Sequence, residues 1–127
     1  MKTVKTAANM ILIIEDEKSL ARALELKLTR AGFSVKKALN GLDGLSVLEH
    51  SNCSLVLCDL IMPKLNGFEF LMALKTKKIK TPVVVLTNLG QPEDEKRVRD
   101  LGAVAFFIKS NTTISQVADF VSKYLKV

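Results

Sequence analysis

The sequence predicts an α/β fold of doubly wound type, a (βα)5 unit with a parallel sheet, and three observations predict it. Five short apolar segments alternate with five amphipathic ones. Three of the apolar segments are almost continuously hydrophobic, as strands covered on both faces are. Polar groups of related chemistry follow four of the five at the same end. Such alternation implies parallel strands joined by right-handed crossovers, with helices on both faces of the sheet.

Each element has its own local reason. MILII (10–14), FSVKKA (33–38), SLVLC (54–58), PVVVL (82–86) and AFFI (105–108) are short, apolar and rich in β-branched or aromatic residues, which predicts strands. The first helical pattern spans 18–32, where Leu20, Leu24 and Leu28 recur on one face and Gly32 is the stop signal. A weaker pattern covers 42–50. The third, 67–76, follows Asn66 as N-cap, with Glu69 in the capping-box position. The fourth, 92–102, opens on Pro92, carries acids early and bases late, and ends at Gly102. The fifth, 113–125, opens on a second capping box, Thr113 with Gln116.

The 127 residues suit a single domain, 1–127, with 1–9 as a flexible N-terminal extension. At 48% hydrophobic residues the chain fills a core without disulfide staples. Cys53 and Cys58 lie in or beside one predicted strand, roughly 16 Å apart at about 3.3 Å per residue. That is too far to bridge, so both read as reduced thiols. No apolar run approaches the roughly 18 to 20 residues of a membrane span. MILII is shorter than the core of a signal peptide, which points to a cytoplasmic protein. The net charge is +6, and Lys75, Lys77, Lys78 and Lys80 cluster. No aromatic or arginine side chains are interleaved with those lysines, so they read as a solvated helix end rather than a nucleic-acid surface. His50 has no partners at metal-ligand spacing and reads as a surface residue.

Function concentrates at the carboxyl ends of the strands, where ligands of open α/β sheets sit. Glu15 and Asp16 follow the first strand, Asp59 the third, Thr87 the fourth and Lys109 the fifth. A buried strand that ends on Asp59 poses a question, because an unpaired buried carboxylate is costly. Three converging carboxylates repel one another and raise at least one pKa unless a cation is present. Oxygen-only ligands suit Mg²⁺. Lys109 supplies a point charge suited to phosphate and Thr87 a hydroxyl donor. A carboxylate can act as a nucleophile toward phosphorus, forming an acyl phosphate. Together these groups form an arrangement for receiving a phosphoryl group.

From Met10 to Leu125 the chain resembles the receiver domains of two-component response regulators. The motifs are IIEDE with Glu15 and Asp16, DLIMPKLNGFEFL built on Asp59, VVVLTN ending on Thr87, and GAVAFFIKS carrying Lys109. The resemblance implies a flavodoxin-like, CheY-like sandwich with strand order 2-1-3-4-5. It implies that Asp59 accepts a phosphoryl group from the phosphohistidine of a sensor histidine kinase or phosphotransfer protein. Glu15, Asp16, Asp59 and the backbone carbonyl of Ile61 would hold Mg²⁺, with Mn²⁺ as a substitute. Thr87 and Lys109 would bind phosphoryl oxygens, and Phe106 would be the switch aromatic that turns inward with Thr87. A downstream protein or a second copy would dock on the face of the fourth helix, fifth strand and fifth helix, around Lys96, Arg97, Phe106 and Val117. Neither membrane nor direct nucleic-acid binding is implied for this domain. It is not an enzyme in the ordinary sense, since it assists only its own phosphotransfer and dephosphorylation.

Pro63 shapes the loop after Asp59, and Gly67 permits either a close backbone approach or an unusual dihedral there. Two positions depart from the family pattern. Ser110 stands where the family usually has proline after the lysine, often with a cis peptide, so the bond is either strained or trans and differently shaped. Asn88 replaces the usual small residue after Thr87, where it either crowds the site or adds a hydrogen bond. Ile61 and Leu89 occupy positions that tune phosphate loss, and both are apolar. An aspartyl-phosphate hydrolase would need an acid at position 61, and a dinucleotide fold a glycine-rich turn in EDEKS; neither is present. The alternative that remains is a pseudo-receiver, an interaction module that is not phosphorylated. Both a stand-alone regulator and a domain of a larger protein fit the chain.

Overall fold

The computed structural model describes residues 9–126. Its elements run β1 (Met10–Ile14), α1 (Lys18–Arg30), β2 (Ser34–Ala38), α2 (Gly41–His50), β3 (Leu55–Cys58), α3 (Gly67–Thr76), β4 (Val83–Thr87), α4 (Pro92–Asp100), β5 (Ala105–Ile108) and α5 (Ile114–Leu125). A single 3-10 turn, Lys109–Asn111, follows β5. The strands form one parallel sheet in the order β2-β1-β3-β4-β5. The sequence-based expectation of an N-terminal extension falls on residues 1–8, outside the described residues. Asn9, the one described member of that stretch, is tied in: its carbonyl accepts from the Ser34 N–H at 2.9 Å and its side chain from the Ser54 hydroxyl at 3.0 Å.

The two-residue period of the strands sorts the core into two layers. Leu12, Ile14, Val56, Cys58, Val83 and Val85 face one side, where Leu45 and Leu48 of α2, Phe70, Leu71 and Leu74 of α3 and Val98 of α4 cover them. Ile11, Ile13, Leu55, Leu57, Val84 and Leu86 face the other, under Ala21, Leu24 and Leu28 of α1 and Val117, Ala118 and Val121 of α5. The central strands β1, β3 and β4 are apolar on both faces because both faces are covered. Edge strand β2 keeps Lys36 and Lys37 exposed, which discourages pairing with another chain.

Helix ends follow local chemistry. Asn66 with Glu69 and Thr113 with Gln116 both form the reciprocal capping boxes expected from the sequence. Pro92 begins α4. Gly32 and Gly102, with φ of 101° and 108°, end the turns after α1 and α4 in the left-handed region that favours glycine. The weaker second helix has a cap the sequence reading overlooked: the buried Asn40 side chain accepts from the Asp43 N–H at 2.8 Å. Both cysteines are free thiols. Among the described residues, no helix is long and apolar enough to cross a membrane.

Candidate functional site

Strand geometry alone delivers the acids to one edge. β1 and β3 are neighbours with Ile14 opposite Cys58, so the residues that follow them, Glu15 and Asp59, emerge side by side. The Asp59 N–H still donates to the Ile14 carbonyl at 3.2 Å, and the Glu15 N–H to Ala38 at 3.0 Å. Both side chains are therefore held by backbone that continues the sheet. Glu15 and Asp59 are 3% and 5% exposed, whereas Asp16 turns outward to solvent.

Lys109 reaches across the sheet edge to both buried acids. Its Nζ lies 2.9 Å from Glu15 Oε1 and 3.0 Å from Asp59 Oδ2. The other Asp59 oxygen, Oδ1, accepts from the backbone N–H of Leu60 at 2.7 Å and of Ile61 at 3.3 Å. Glu15 Oε2 accepts from the Glu17 N–H at 3.1 Å. Burial pushes the Glu15 carboxyl above its ordinary value of 4.5, against the opposing pull of Lys109 and the Glu17 N–H. For Lys109 burial is the largest single influence and pushes downward. Its hydrogen bonds to Glu15 and Asp59, together with their charges, outweigh burial and raise the ammonium above 10.5. Cys58, directly before Asp59, donates its thiol to the Asp59 carbonyl at 3.1 Å. Burial first, then the charges of Asp59 and Glu15, pushes that thiol far up, so it is a packing group rather than a nucleophile.

The residues fit a hard divalent cation. Glu15, Asp16 and Asp59 each offer a carboxylate oxygen within 4.8 Å of the others. Hard oxygen donors of this kind suit Mg²⁺, which takes carboxylates and retains waters. Charge points the same way: three carboxylates against the one ammonium leave the cluster at −2.

The other residues expected at the site have their own surroundings. Thr87 is the last residue of β4 rather than the first beyond it, is fully buried, and accepts the Leu89 N–H on Oγ1 at 3.3 Å. Among the described residues no hydrogen bond joins Thr87 to Asp59, Glu15 or Lys109. Phe106 is half-buried and packs against the core layer beneath α4. Ile61 is 58% exposed; its N–H is the group directed at Asp59. Asn88 is exposed. No described peptide bond is cis, so Lys109–Ser110 is trans and turns into the 3-10 segment. One expected surface residue is corrected: Val117 is 1% exposed, in the core between α5 and the sheet, and leaves no side chain for a partner. Arg97 lies over the Phe68 ring at 4.0 Å, tying α4 to α3, and Lys96 pairs with Asp100 at 2.8 Å. His50 is exposed, and its Nδ1 lies 2.9 Å from the Ser46 carbonyl.

Sequence reasoning missed the amide donors of Leu60 and Ile61, because backbone direction leaves no mark on residue type. It did single out Gly67, and the structure chooses between its two roles. A Cβ on Gly67 would lie 2.5 Å from the Asp59 carbonyl oxygen and 2.7 Å from Leu60 Cα, so the glycine serves close approach. The unusual dihedrals fall instead on Lys64 and Leu65, with φ of 53° and 92°.

Comparison with known proteins gives the same architecture. The chain is 39% identical over 99 residues to the uncharacterized transcriptional regulatory protein YkoG of Bacillus subtilis (strain 168), which covers 78% of this chain and 43% of that protein. It is 32% identical over 120 residues to a gliding motility regulatory protein of Myxococcus xanthus, covering 92% of this chain and 15% of that one. The chain thus spans less than half the length of these relatives. Its fold is shared with the receiver domain of the Francisella response regulator 1452, at a TM-score of 0.88 and 24% identity over 93% of this chain and 97% of the other. Residues 11–121 match the response regulator receiver domain, and with that match over most of its length the chain belongs to the response regulator receiver family.

Proposed function

We propose that residues 1–127 form a single receiver domain that works as a phosphorylation-dependent switch, with Asp59 as phosphoacceptor. The observation that supports this most directly is the Asp59 carboxylate itself. It is buried at a strand end, paired with Lys109 at 3.0 Å and close to the Glu15 and Asp16 oxygens. Such a carboxylate is rigid, desolvated and surrounded by the charges that phosphoryl transfer needs. An Asp59 oxygen attacks the phosphorus of a phosphohistidine on a histidine kinase or phosphotransfer protein. The P–N bond breaks, its electron pair stays with the imidazole, and an acyl phosphate forms on Asp59.

Glu15, Asp16, Asp59 and the Ile61 carbonyl are the groups that would hold Mg²⁺ or Mn²⁺, and the ion supplies charge neutralisation and alignment at the phosphoryl oxygens. Lys109 stays against those oxygens as a point charge. The Leu60 and Ile61 amides keep the carboxylate from rotating. Thr87 is one strand away, and among the described residues its hydroxyl donates no hydrogen bond. Drawing Thr87 toward the phosphoryl group would loosen its bond to the Leu89 N–H and let Phe106 turn inward. That movement would be read on the exposed face of α4, β5 and α5 by a protein partner or a second copy. The setting would be the cytoplasm, with the chain acting on its own phosphorylation and no separate substrate.

The test uses acetyl phosphate as donor and intact mass as readout. Wild-type protein with Mg²⁺ should gain one phosphoryl group. Asp59→Asn, or wild type in excess chelator, should gain none. Mg²⁺-dependent modification that persists in Asp59→Asn would overturn the assignment, and no incorporation in wild type would favour an unphosphorylated interaction module.

Phosphate loss should be slow. Ile61 and Leu89 flank the site with apolar side chains, and neither can orient an attacking water. The purified phosphoprotein should therefore persist well beyond seconds with Mg²⁺ present. Decay within seconds would show that another group activates water.

A further inference from the structure

The sheet's opposite edge carries a cavity of about 340 Å³, far from Asp59 in the fold. It lies before β4 and β5, where α3, α4 and α5 end. Its floor is apolar, made by Leu74, Ile79, Val83 and Val104, with Tyr124 on the rim. Three lysines, Lys75, Lys78 and Lys80, stand around it, and no acidic residue lines it. Among the described residues these three make no ion pair, whereas their neighbour Lys77 is committed to Glu49 at 3.0 Å. We propose that this cavity binds an acidic segment of a partner protein, seating one apolar side chain on the floor and its carboxylates on the three lysines.

Charge complementarity selects that occupant. Helix C-termini each bring about half a negative charge, so three of them would contribute about −1.5. Three lysines exceed this twofold and leave the rim positive. Capping alone thus leaves unmatched charge. Lys78 adds a second argument. It sits at φ 59°, in the left-handed turn that closes α3, where its N–H donates to the Lys75 carbonyl and the Ile79 N–H to Leu74. Glycine is the residue suited to that turn. A lysine held there at a conformational cost places its ammonium beside the cavity. An apolar floor suits an aliphatic or aromatic side chain, while the scarcity of aromatic and arginine platforms disfavours a nucleic-acid strand.

The test is a titration of ¹⁵N-labelled full chain with the hexapeptide DELFED, with DEGSED and oligothymidylate in parallel. DELFED should shift the amides of Leu74, Ile79, Val104 and Tyr124 in a saturable way. Lys75→Ala, Lys78→Gly and Lys80→Ala combined should weaken binding about tenfold, as loss of the charged rim requires. Lys78→Gly relieves the turn, so the variant should fold and still accept a phosphoryl group from acetyl phosphate at the wild-type rate. Conversely, DELFED should bind Asp59→Asn unchanged, which separates failure of this site from failure of the phosphoacceptor assignment. Shifts that miss the cavity would overturn the proposal, as would no saturation at millimolar DELFED. So would equal binding of DEGSED or oligothymidylate, or wild-type affinity in the lysine variant.

Discussion

Lys109→Ala should destabilise the metal-free protein by about 3 kcal/mol at neutral pH, the low end for removing one partner of a buried ion pair. The ammonium bridges two carboxylates that are almost wholly buried, and its loss leaves them facing each other with only amide donors. The low end applies because solvent reaches the cluster, where the Lys109 side chain is 14% exposed. The pH dependence has a definite sign. Burial already raises the Glu15 carboxyl, so the protonated form is favoured in the fold and stability is lost as pH rises through the raised folded value. Removing Lys109 removes the principal opposing influence, so the deficit of the variant should shrink from pH 7 toward pH 5. The raised ammonium of Lys109 loses its contribution only as pH rises past 10.5, so it adds no slope in that window. Mg²⁺ should recover part of the deficit by binding the folded state alone. The same variant should accept phosphoryl groups about a hundredfold more slowly, the scale of losing one positioned charge stabiliser. Urea unfolding with and without Mg²⁺, across that pH range, checks the first part. Equal stability of the two metal-free proteins would mean that water already satisfies the carboxylates.

Gly67→Ala should cost about 2 kcal/mol, within the usual range for overpacking, and it should also damage the site. The new methyl group would meet backbone on both sides, the Asp59 carbonyl oxygen and Leu60 Cα, and backbone cannot step aside as a side chain can. The Gly67 N–H also donates to the Leu60 carbonyl at 2.9 Å, so the loop and the start of α3 would separate together. Leu60 and Ile61 carry the amides that hold Asp59 Oδ1, so their displacement misplaces the nucleophile. Misplacement on this scale should slow acetyl-phosphate incorporation by at least about tenfold. Gly32→Ala is the control. It meets nothing within 4 Å but sits at φ 101°, so it should cost about 1 kcal/mol and leave phosphorylation untouched. Parallel loss of rate in both variants would show that stability rather than loop position governs the reaction.

The sequence by itself determined the number, type and order of the elements, and the edge at which the acids stand. Those properties are local. A strand's two-residue period and a helix's capping residues are written in neighbouring positions, so MILII and SLVLC announce buried strands and Asn66 with Glu69 announces a helix start. The residues Glu15, Asp16, Asp59, Thr87 and Lys109 were legible for the same reason, since each follows or ends a recognisable strand. Strand order was legible only through family resemblance, because neighbour choice among parallel strands is made between segments distant in the chain. Only the tertiary structure decided that Lys109 closes on both Glu15 and Asp59, a contact across fifty positions in the case of Asp59. It alone paired Thr87 with the Leu89 N–H, half-buried Phe106 against one core layer and sank Val117 into the other. It also turned the Leu60 and Ile61 amides toward Asp59, put the left-handed dihedrals on Lys64 and Leu65, and left Gly67 the role of yielding space. Side-chain type records which residues can be buried or charged; which of them meet is set by the packing of whole layers.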